Sequence, residues 1–491
     1  MDLVLALDAG TTGVRTVAFG PDGAEVDSAY RELTQYFPEP GWVEHDPHEI
    51  AELAVATLRE VATRIAALQH RVVALGITNQ RETTVAFDRA TGQTRHRAIV
   101  WQDRRTASFC EQLAADGALP RVREITGLVL DSYFSGTKMR WLLDHHATDG
   151  FANPALGTID SYLLWTLSGG VNGGVFTTEP SNASRTLLMD LRTLAWSDEM
   201  CELLAVPREF LATIAPSAHH FGDVDAALIP ELAGVPIAAM LGDQQAALFG
   251  QACFSPGMVK ATYGTGSFIL ANAGATVPAL REGLVTTVAW DAGRHAAPAY
   301  AYEGSAFVAG AAIQWLRDEL GIIKSAPEIG PLAESVPDSG GVLFVPAFTG
   351  LGSPFWRSDA RGVLMGLSSS TTKAHIARAV VESLAFQVRA MTDAFASAGV
   401  TLSELRADGG AAAMNLLLDL QATNSRLTVR RSTSLEATAR GAALMAGLEA
   451  GLWSDLDELS SLWSSSATFE ANDPTIADLG YASWLDATER A

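Results

Sequence analysis

The chain opens on an unbroken apolar run, Leu3-Val4-Leu5-Ala6-Leu7, that ends in Asp8 and passes into Ala9-Gly10-Thr11-Thr12-Gly13. Such a run predicts a buried strand, and the Gly/Thr segment after it predicts a tight turn. A second strand-like run at 16–19 closes on Pro21-Asp22-Gly23, so the start of the chain reads as a β-hairpin. Behind Asp46-Pro47, the positions Ile50, Leu53, Leu58, Val61, Ile65 and Leu68 recur near helical spacing and predict an amphipathic helix over 47–69. Residues 72–78, 83–87 and 98–101 read as strands, the last two separated by a turn at 88–92. Strands alternating with helices predict an α/β layered domain.

The pattern starts again after the middle of the chain. A strand at 235–241 ends in Gly242-Asp243-Gln244-Gln245 and leads into a helix at 246–251. Strands at 258–263 and 267–271 flank a second Gly/Thr turn, Gly264-Thr265-Gly266. A strand at 342–346, a long helix at 372–398 and the segment Leu405-Arg406-Ala407-Asp408-Gly409-Gly410 opening a helix at 411–421 complete the second half. Two α/β halves, 1–251 and 252–491, are therefore expected, each carrying a Gly/Thr hairpin. No low-complexity linker separates them, so the cleft between them is expected to be tight and hinged.

Composition narrows the function classes. With 491 residues and 48% hydrophobic content the chain can bury a large core of two or three domains. A net charge of −22 argues against a nucleic-acid binder, which needs a basic face. An anionic substrate must then be attracted locally, by backbone N–H groups, arginines or a cation. Cys110, Cys201 and Cys253 are widely spaced, which predicts reduced thiols and a cytoplasmic setting. Neither a secretory leader nor a membrane span is expected. The pairs His145-His146 and His219-His220 lack metal-site spacing and read as surface residues.

Several positions carry candidate chemistry. Glycines let backbone N–H groups approach an anion, and Thr11, Thr12 and Arg15 add donors. Asp8 beside them could hold Mg²⁺, which binds phosphate oxygens. The segment is thus a phosphate-binding hairpin with a metal handle, or else a buried edge hairpin with a polar turn. Neither a GxxxxGK[ST] loop nor a dinucleotide fingerprint is present in the sequence. Arg81-Glu82 follows a buried strand; such charges are usually solvated, but together they can donate to and accept from adjacent polyol hydroxyls. Trp101 ends a strand and is either core or a platform for a small carbon face. Tyr133 offers one hydroxyl. Asp243, between a strand and a helix, is placed to cap that helix, where the dipole favours its ionised form. It is also placed to act as general base toward a hydroxyl.

Four stretches carry a family resemblance: Gly41-Trp42-Val43-Glu44-His45-Asp46, Gly76-Ile77-Thr78-Asn79-Gln80-Arg81-Glu82-Thr83-Thr84, Asp243-Gln244-Gln245-Ala246-Ala247-Leu248-Phe249-Gly250-Gln251 and Pro346-Ala347-Phe348-Thr349-Gly350-Leu351-Gly352. Together they resemble the FGGY carbohydrate kinase family over about 3–455, on its glycerol-phosphorylating branch. The resemblance implies an actin-like, hexokinase-type (ribonuclease H-like) α/β fold, with ATP, Mg²⁺ and glycerol meeting in the interdomain cleft. It implies glycerol contacts from Arg81, Glu82, Tyr133, Asp243 and Gln244, an apolar wall of Trp101 and Phe268, and Asp243 as the base. It implies ATP phosphates along Thr11, Thr12, Gly13 and Arg15, with Asp8 near Mg²⁺. The rest of the nucleotide is expected at Thr265, Gly310, Gln314 and Gly410. Homodimers or homotetramers are expected, without nucleic acid or membrane insertion.

The sequence departs from the family at Gly13, where serine is common, and at Met414, where asparagine is usual and Asn415 follows. Residues 221–235 lack both the Gly-Gly-Lys/Arg loop that binds fructose 1,6-bisphosphate in some relatives and the histidine loop phosphorylated in others, so neither regulation is expected. The readings competing with a glycerol-phosphorylating enzyme are a kinase of another polyol or ketose, a non-catalytic nucleotide-binding relative, and an actin-like filament ATPase. Fold alone does not separate them.

Overall fold

A computed structural model describes residues 1–434 and 436–491. Its frame is two sheets of repeated topology. The first has six strands, in the order Ala218–Asp223, Pro236–Gly242, Arg71–Asn79, Asp2–Ala9, Gly13–Phe19, Glu25–Glu32. The second has seven, in the order Val285–Trp290, Ala299–Ala306, Ser267–Gly274, Met258–Tyr263, Glu404–Asp408, Thr428–Ser432, Ser465–Phe469. In each, a hairpin strand pairs antiparallel on one side and parallel on the other with two further parallel strands. The weak repeat in the sequence is therefore a repeat of topology, with one extra antiparallel strand in the second half.

Parallel strands in register deliver their carboxyl ends to one place. Ala9 pairs with Asn79, and Asn79 with Gly242. Asp8, Arg81 and Asp243, far apart in sequence, therefore lie at one edge of the first sheet. The turn at Gly264 and the segment at Gly409 stand at the equivalent edge of the second. Open α/β sheets bind ligands at this edge. The helix Pro47–Ala67 runs as the periodicity predicts, started by Asp46, whose carboxylate accepts from the His48 N–H, and by Pro47. The long helix Lys373–Ser397 begins at Thr372 with a capping box. A smaller four-stranded sheet, Glu44–His45, Ala98–Ile99, Thr84–Asp88 and Pro154–Thr158, adds a lobe beside the first sheet.

One large core fills each half and a third joins them, with smaller apolar clusters around these. The joining core contains Val4, Ala6 and Val17 of the first sheet, Leu270 and Ala301 of the second, and Ala439, Ala442, Ala443 and Ala446. The last four lie on the helix Ala437–Glu449, which belongs to the C-terminal half in sequence but packs on the first sheet and on the helix Asp243–Gly250. Small residues make that approach possible. A methyl group on Gly441 would stand 1.8 Å from the Ala246 carbonyl oxygen, and one on Gly250 would stand 2.0 Å from that of Ala437. We expect Gly441→Ala to cost about 3 kcal/mol by overpacking, read as a lower melting temperature. Wild-type melting would show that this helix contact does not support the fold.

Candidate active site

Five of the residues singled out from sequence face the cleft: Trp101, Tyr133, Asp243, Gln244 and Phe268 are half-buried. The Trp101 ring meets those of Tyr133 and Phe268 edge to face, at 5.7 and 6.2 Å between centroids, and forms an apolar wall. Arg81 and Glu82 lie beneath, each 2% exposed. Arg81 Nη2 donates to the Tyr133 hydroxyl at 3.1 Å, and Nη1 donates to Gln245 Oε1 at 3.1 Å. Its Nε faces Asp243 Oδ1 at 3.2 Å. Glu82 adopts φ +58°, a left-handed conformation disfavoured for a residue with a side chain, and its carboxylate lies 3.8 Å from Arg81 Nε.

Two further charged residues complete the cluster. Glu303, on the second sheet, takes Arg81 Nη1 at 2.5 Å and Arg185 Nη2 at 3.0 Å. Arg185 Nε donates to Glu82 Oε1 at 2.6 Å. Sequence reasoning missed both. The available signal for Glu303 was a lone carboxylate inside the otherwise uncharged strand Ala299–Ala306, all of it buried. A charge there must have a partner. The two guanidinium groups hold the Glu303 carboxyl down at about 2 despite its burial. Glu303 is therefore fully ionised above the ordinary carboxylate range near pH 4.5, and its stabilising contribution is lost only as pH falls toward about 2.

Asp243 is the first residue of its helix and does not cap it. Gly242 occupies the cap position, and Asp243 Oδ1 accepts the neighbouring Gln244 N–H at 2.7 Å. The expected lowering of its pKa is also reversed: burial raises it, against the opposing pull of Arg81, the Gln244 N–H and Lys260. The side chain remains 28% exposed, so the carboxylate reaches the cleft.

The hairpin turn joins this cluster directly, because Trp101 Nε1 donates to Thr11 Oγ1 at 2.9 Å. Gln80 braces the turn from behind, donating to the Gly10 carbonyl and facing buried His45, each at 3.2 Å. Thr12 is exposed, and its carbonyl accepts from Leu33 N–H. Asp8 stands opposite Arg15 in the hairpin register. Burial, with Asp243 and Glu436 nearby, raises the Asp8 carboxyl to about 7. Arg15 is half-buried and paired with Glu436 at the start of the helix Ala437–Glu449. The glycine at 13 has a packing cause: a side-chain carbon there would lie 2.4 Å from the Tyr30 ring and 2.5 Å from the Arg31 carbonyl.

Thr265, Gly310, Gln314 and Gly410 come together around a cavity of about 550 Å³. Tyr263, Ile313, Ile329, Gly330, Pro331 and Met414 supply much of its apolar lining. Gly310 is required by close approach, since a side-chain carbon would meet the Gly264 carbonyl at 2.6 Å. Gly409-Gly410 leads into a short 3₁₀ turn, Gly410–Ala413, and the α-helix begins only at Asn415. Asn415 lines the cavity, but its side-chain oxygen Oδ1 accepts from Arg431 Nη1 at 3.0 Å.

Two sheets of one topology, facing carboxylates and Gly/Thr turns at their strand ends, and a cavity beside the second turn define a two-domain α/β kinase of the actin-like, hexokinase-type class. The chain matches the FGGY family of carbohydrate kinases in both its domains, N-terminal over residues 3–250 and C-terminal over 259–450. A glycerol kinase of Leptothrix cholodnii is 50% identical over 483 residues, which is 96% of each chain. The glycerol kinase of Gloeobacter violaceus is 48% identical over 99% of this chain and 96% of its own. The crystal structure of Plasmodium falciparum glycerol kinase with ADP superposes with a TM-score of 0.92 at 34% identity, covering 100% of this chain and 98% of its own. A xylulose kinase from Rhodospirillum rubrum, at 22% identity and a TM-score of 0.87 over 99% and 98% of the two chains, shares the fold alone. This chain belongs to the FGGY family of carbohydrate kinases.

The packing of Tyr30 against Gly13 is testable. We expect Gly13→Ser to lower the melting temperature and Tyr30→Ala to restore it only in part in the double variant, because the contact with the Arg31 carbonyl remains. An unrestored double variant would contradict the packing account.

Proposed function

We propose that this protein transfers the terminal phosphoryl group of ATP to glycerol, giving sn-glycerol 3-phosphate and ADP. The observation that carries the reading is the gathering of Arg81, Glu82, Trp101, Tyr133, Asp243 and Gln244 at one edge of the cleft, tied through Trp101 to the Gly/Thr hairpin. The identity of about half the residues with glycerol kinases over nearly the whole chain supports it. Trp101 and Phe268 pack against the carbon backbone of glycerol, and Tyr133, Gln244 and Asp243 meet its hydroxyls. Arg81 and Glu82 reach the substrate from below. Asp243 accepts the proton of the terminal hydroxyl, whose oxygen attacks the γ-phosphorus as the bond to ADP breaks. Thr11, Thr12, Gly13 and Arg15 cradle the phosphates, and the cavity at Thr265, Gly310, Gln314 and Gly410 takes the remainder of the nucleotide.

Asp8 fits a magnesium ion. Burial raises its carboxyl and the nearby Asp243 and Glu436 carboxylates raise it further, a crowding of negative charge that a divalent cation would relieve. Among the described residues no three His, Cys, Asp or Glu side chains form a metal cage. Mg²⁺ would therefore be held by Asp8 together with phosphate oxygens, and when bound it neutralises phosphate charge. Among the described residues no helix is long and apolar enough to cross a membrane, and all three cysteines are unpaired and buried. Both support a cytoplasmic enzyme, which we place in a homodimer or homotetramer.

ADP release from Mg-ATP is expected with glycerol, and not with xylulose, gluconate, erythritol or dihydroxyacetone at comparable rate. Asp243→Asn should lower kcat by on the order of 10²–10⁴, as for loss of a general base. Near-wild-type turnover would remove Asp243 from that role. Because the ionised carboxylate is the active form and its pKa is raised, kcat/KM should climb with pH along an acid limb lying above the ordinary aspartate value of about 4.

A further inference from the structure

Lys260 lies in the middle of the strand Met258–Tyr263 and is fully buried. A buried ammonium is costly unless its protons are used. Here all three meet neutral oxygens: Gln244 Oε1 at 2.5 Å, Thr262 Oγ1 at 2.8 Å and the Phe268 carbonyl at 3.3 Å. Asp408, Asp243 and Glu303 attract it through space, but among the described residues none accepts a hydrogen bond from it. Asp408 accepts from Gln251 Nε2 at 2.6 Å, and Asp243 faces Arg81 at 3.2 Å. The lysine is thus kept for what its three contacts do, and two of them are the residues immediately supporting the cleft wall.

An ammonium can only donate. The Gln244 atom that meets Nζ is therefore the side-chain carbonyl oxygen, and its NH₂ group has no partner among the described residues. We propose that Lys260 is a positioning residue for the substrate: it anchors the Gln244 carbonyl and the Phe268 backbone, so that Gln244 presents a fixed amide donor and Phe268 a fixed ring to the bound polyol. The proposal rests on the reading of this cleft as a polyol-phosphorylating site. It assigns the substrate atom at Gln244 the role of acceptor, a hydroxyl oxygen, and so makes this position select for an oxygen lone pair rather than for shape alone.

The test compares wild type with Lys260→Met, Gln244→Leu and the double variant in steady-state assays with glycerol and Mg-ATP. Lys260→Met should raise KM for glycerol about tenfold, the worth of one oriented hydrogen bond, with KM for ATP unchanged. In the Gln244→Leu background the same substitution should raise it by less than about twofold, because its target is gone. Equal effects on both substrates, or effects that multiply in the double variant, would overturn the proposal. A second measurement is independent of substrate and of whether Lys260→Met folds. Gln244→Glu gives the buried ammonium a counter-charge at the same contact, and should melt at or above the wild-type temperature. A markedly lower melting temperature would show that position 244 is not held by Lys260. Wild-type protein inert toward glycerol would instead overturn the substrate reading, and the Gln244→Glu melt would still decide the role of Lys260.

Discussion

Glu303 crosses from the second sheet to two arginines of the first half, and the geometry of the cleft depends on that crossing. Arg81, Arg185, Glu82 and Glu303 are each at most 2% exposed, and together they carry no net charge. Charges this deep are tolerated only as balanced, hydrogen-bonded sets. The set therefore fixes Arg81 in one place, and Arg81 in turn fixes Tyr133 and Asp243. Asp243 is the surplus charge, a fifth group leaning on an already balanced cluster. Burial raises its pKa, against the pull of Arg81.

The fold supplies the other half of the geometry. Three parallel strands in register bring residues from positions 8, 81 and 243 to one edge without any of them being close in sequence. The second sheet repeats the arrangement and offers a glycine-lined turn and a cavity at its own edge. The helix Ala437–Glu449 then fastens the two, by packing on the first sheet through small residues. Precise side-chain placement thus follows from backbone register plus one ionic cluster. Lys260, anchoring Gln244, adds a second buried charge used for position rather than for strength.

Much of this was legible in the sequence because its signals are local. The apolar run before Asp8, the helical spacing behind Asp46-Pro47 and the two Gly/Thr turns depend on neighbouring residues only. What escaped were contacts between distant segments. Arg185 and Lys260 are ordinary charged residues until the fold surrounds them with partners more than a strand away. The cause of the glycine at 13 is a tyrosine ring and a backbone carbonyl of the next strand, neither of them local in sequence. The pKa of Asp243 was read from its helix, whereas burial sets its direction. The return of the helix Ala437–Glu449 to the first sheet had no signal in spacing at all.

The measurement that tests the ionic crossing most directly is a double-mutant cycle on Glu303→Gln and Arg185→Met, followed by thermal unfolding and by glycerol-dependent ADP release. Each single substitution leaves a buried charge unpaired and should cost on the order of 3–5 kcal/mol. The double variant leaves Arg81 and Glu82 as a balanced pair, and should fall short of the summed cost by at least about 2 kcal/mol, with part of the lost activity recovered. Strictly additive losses would contradict the account, because they would show that charge balance across the two halves is not what holds the site together.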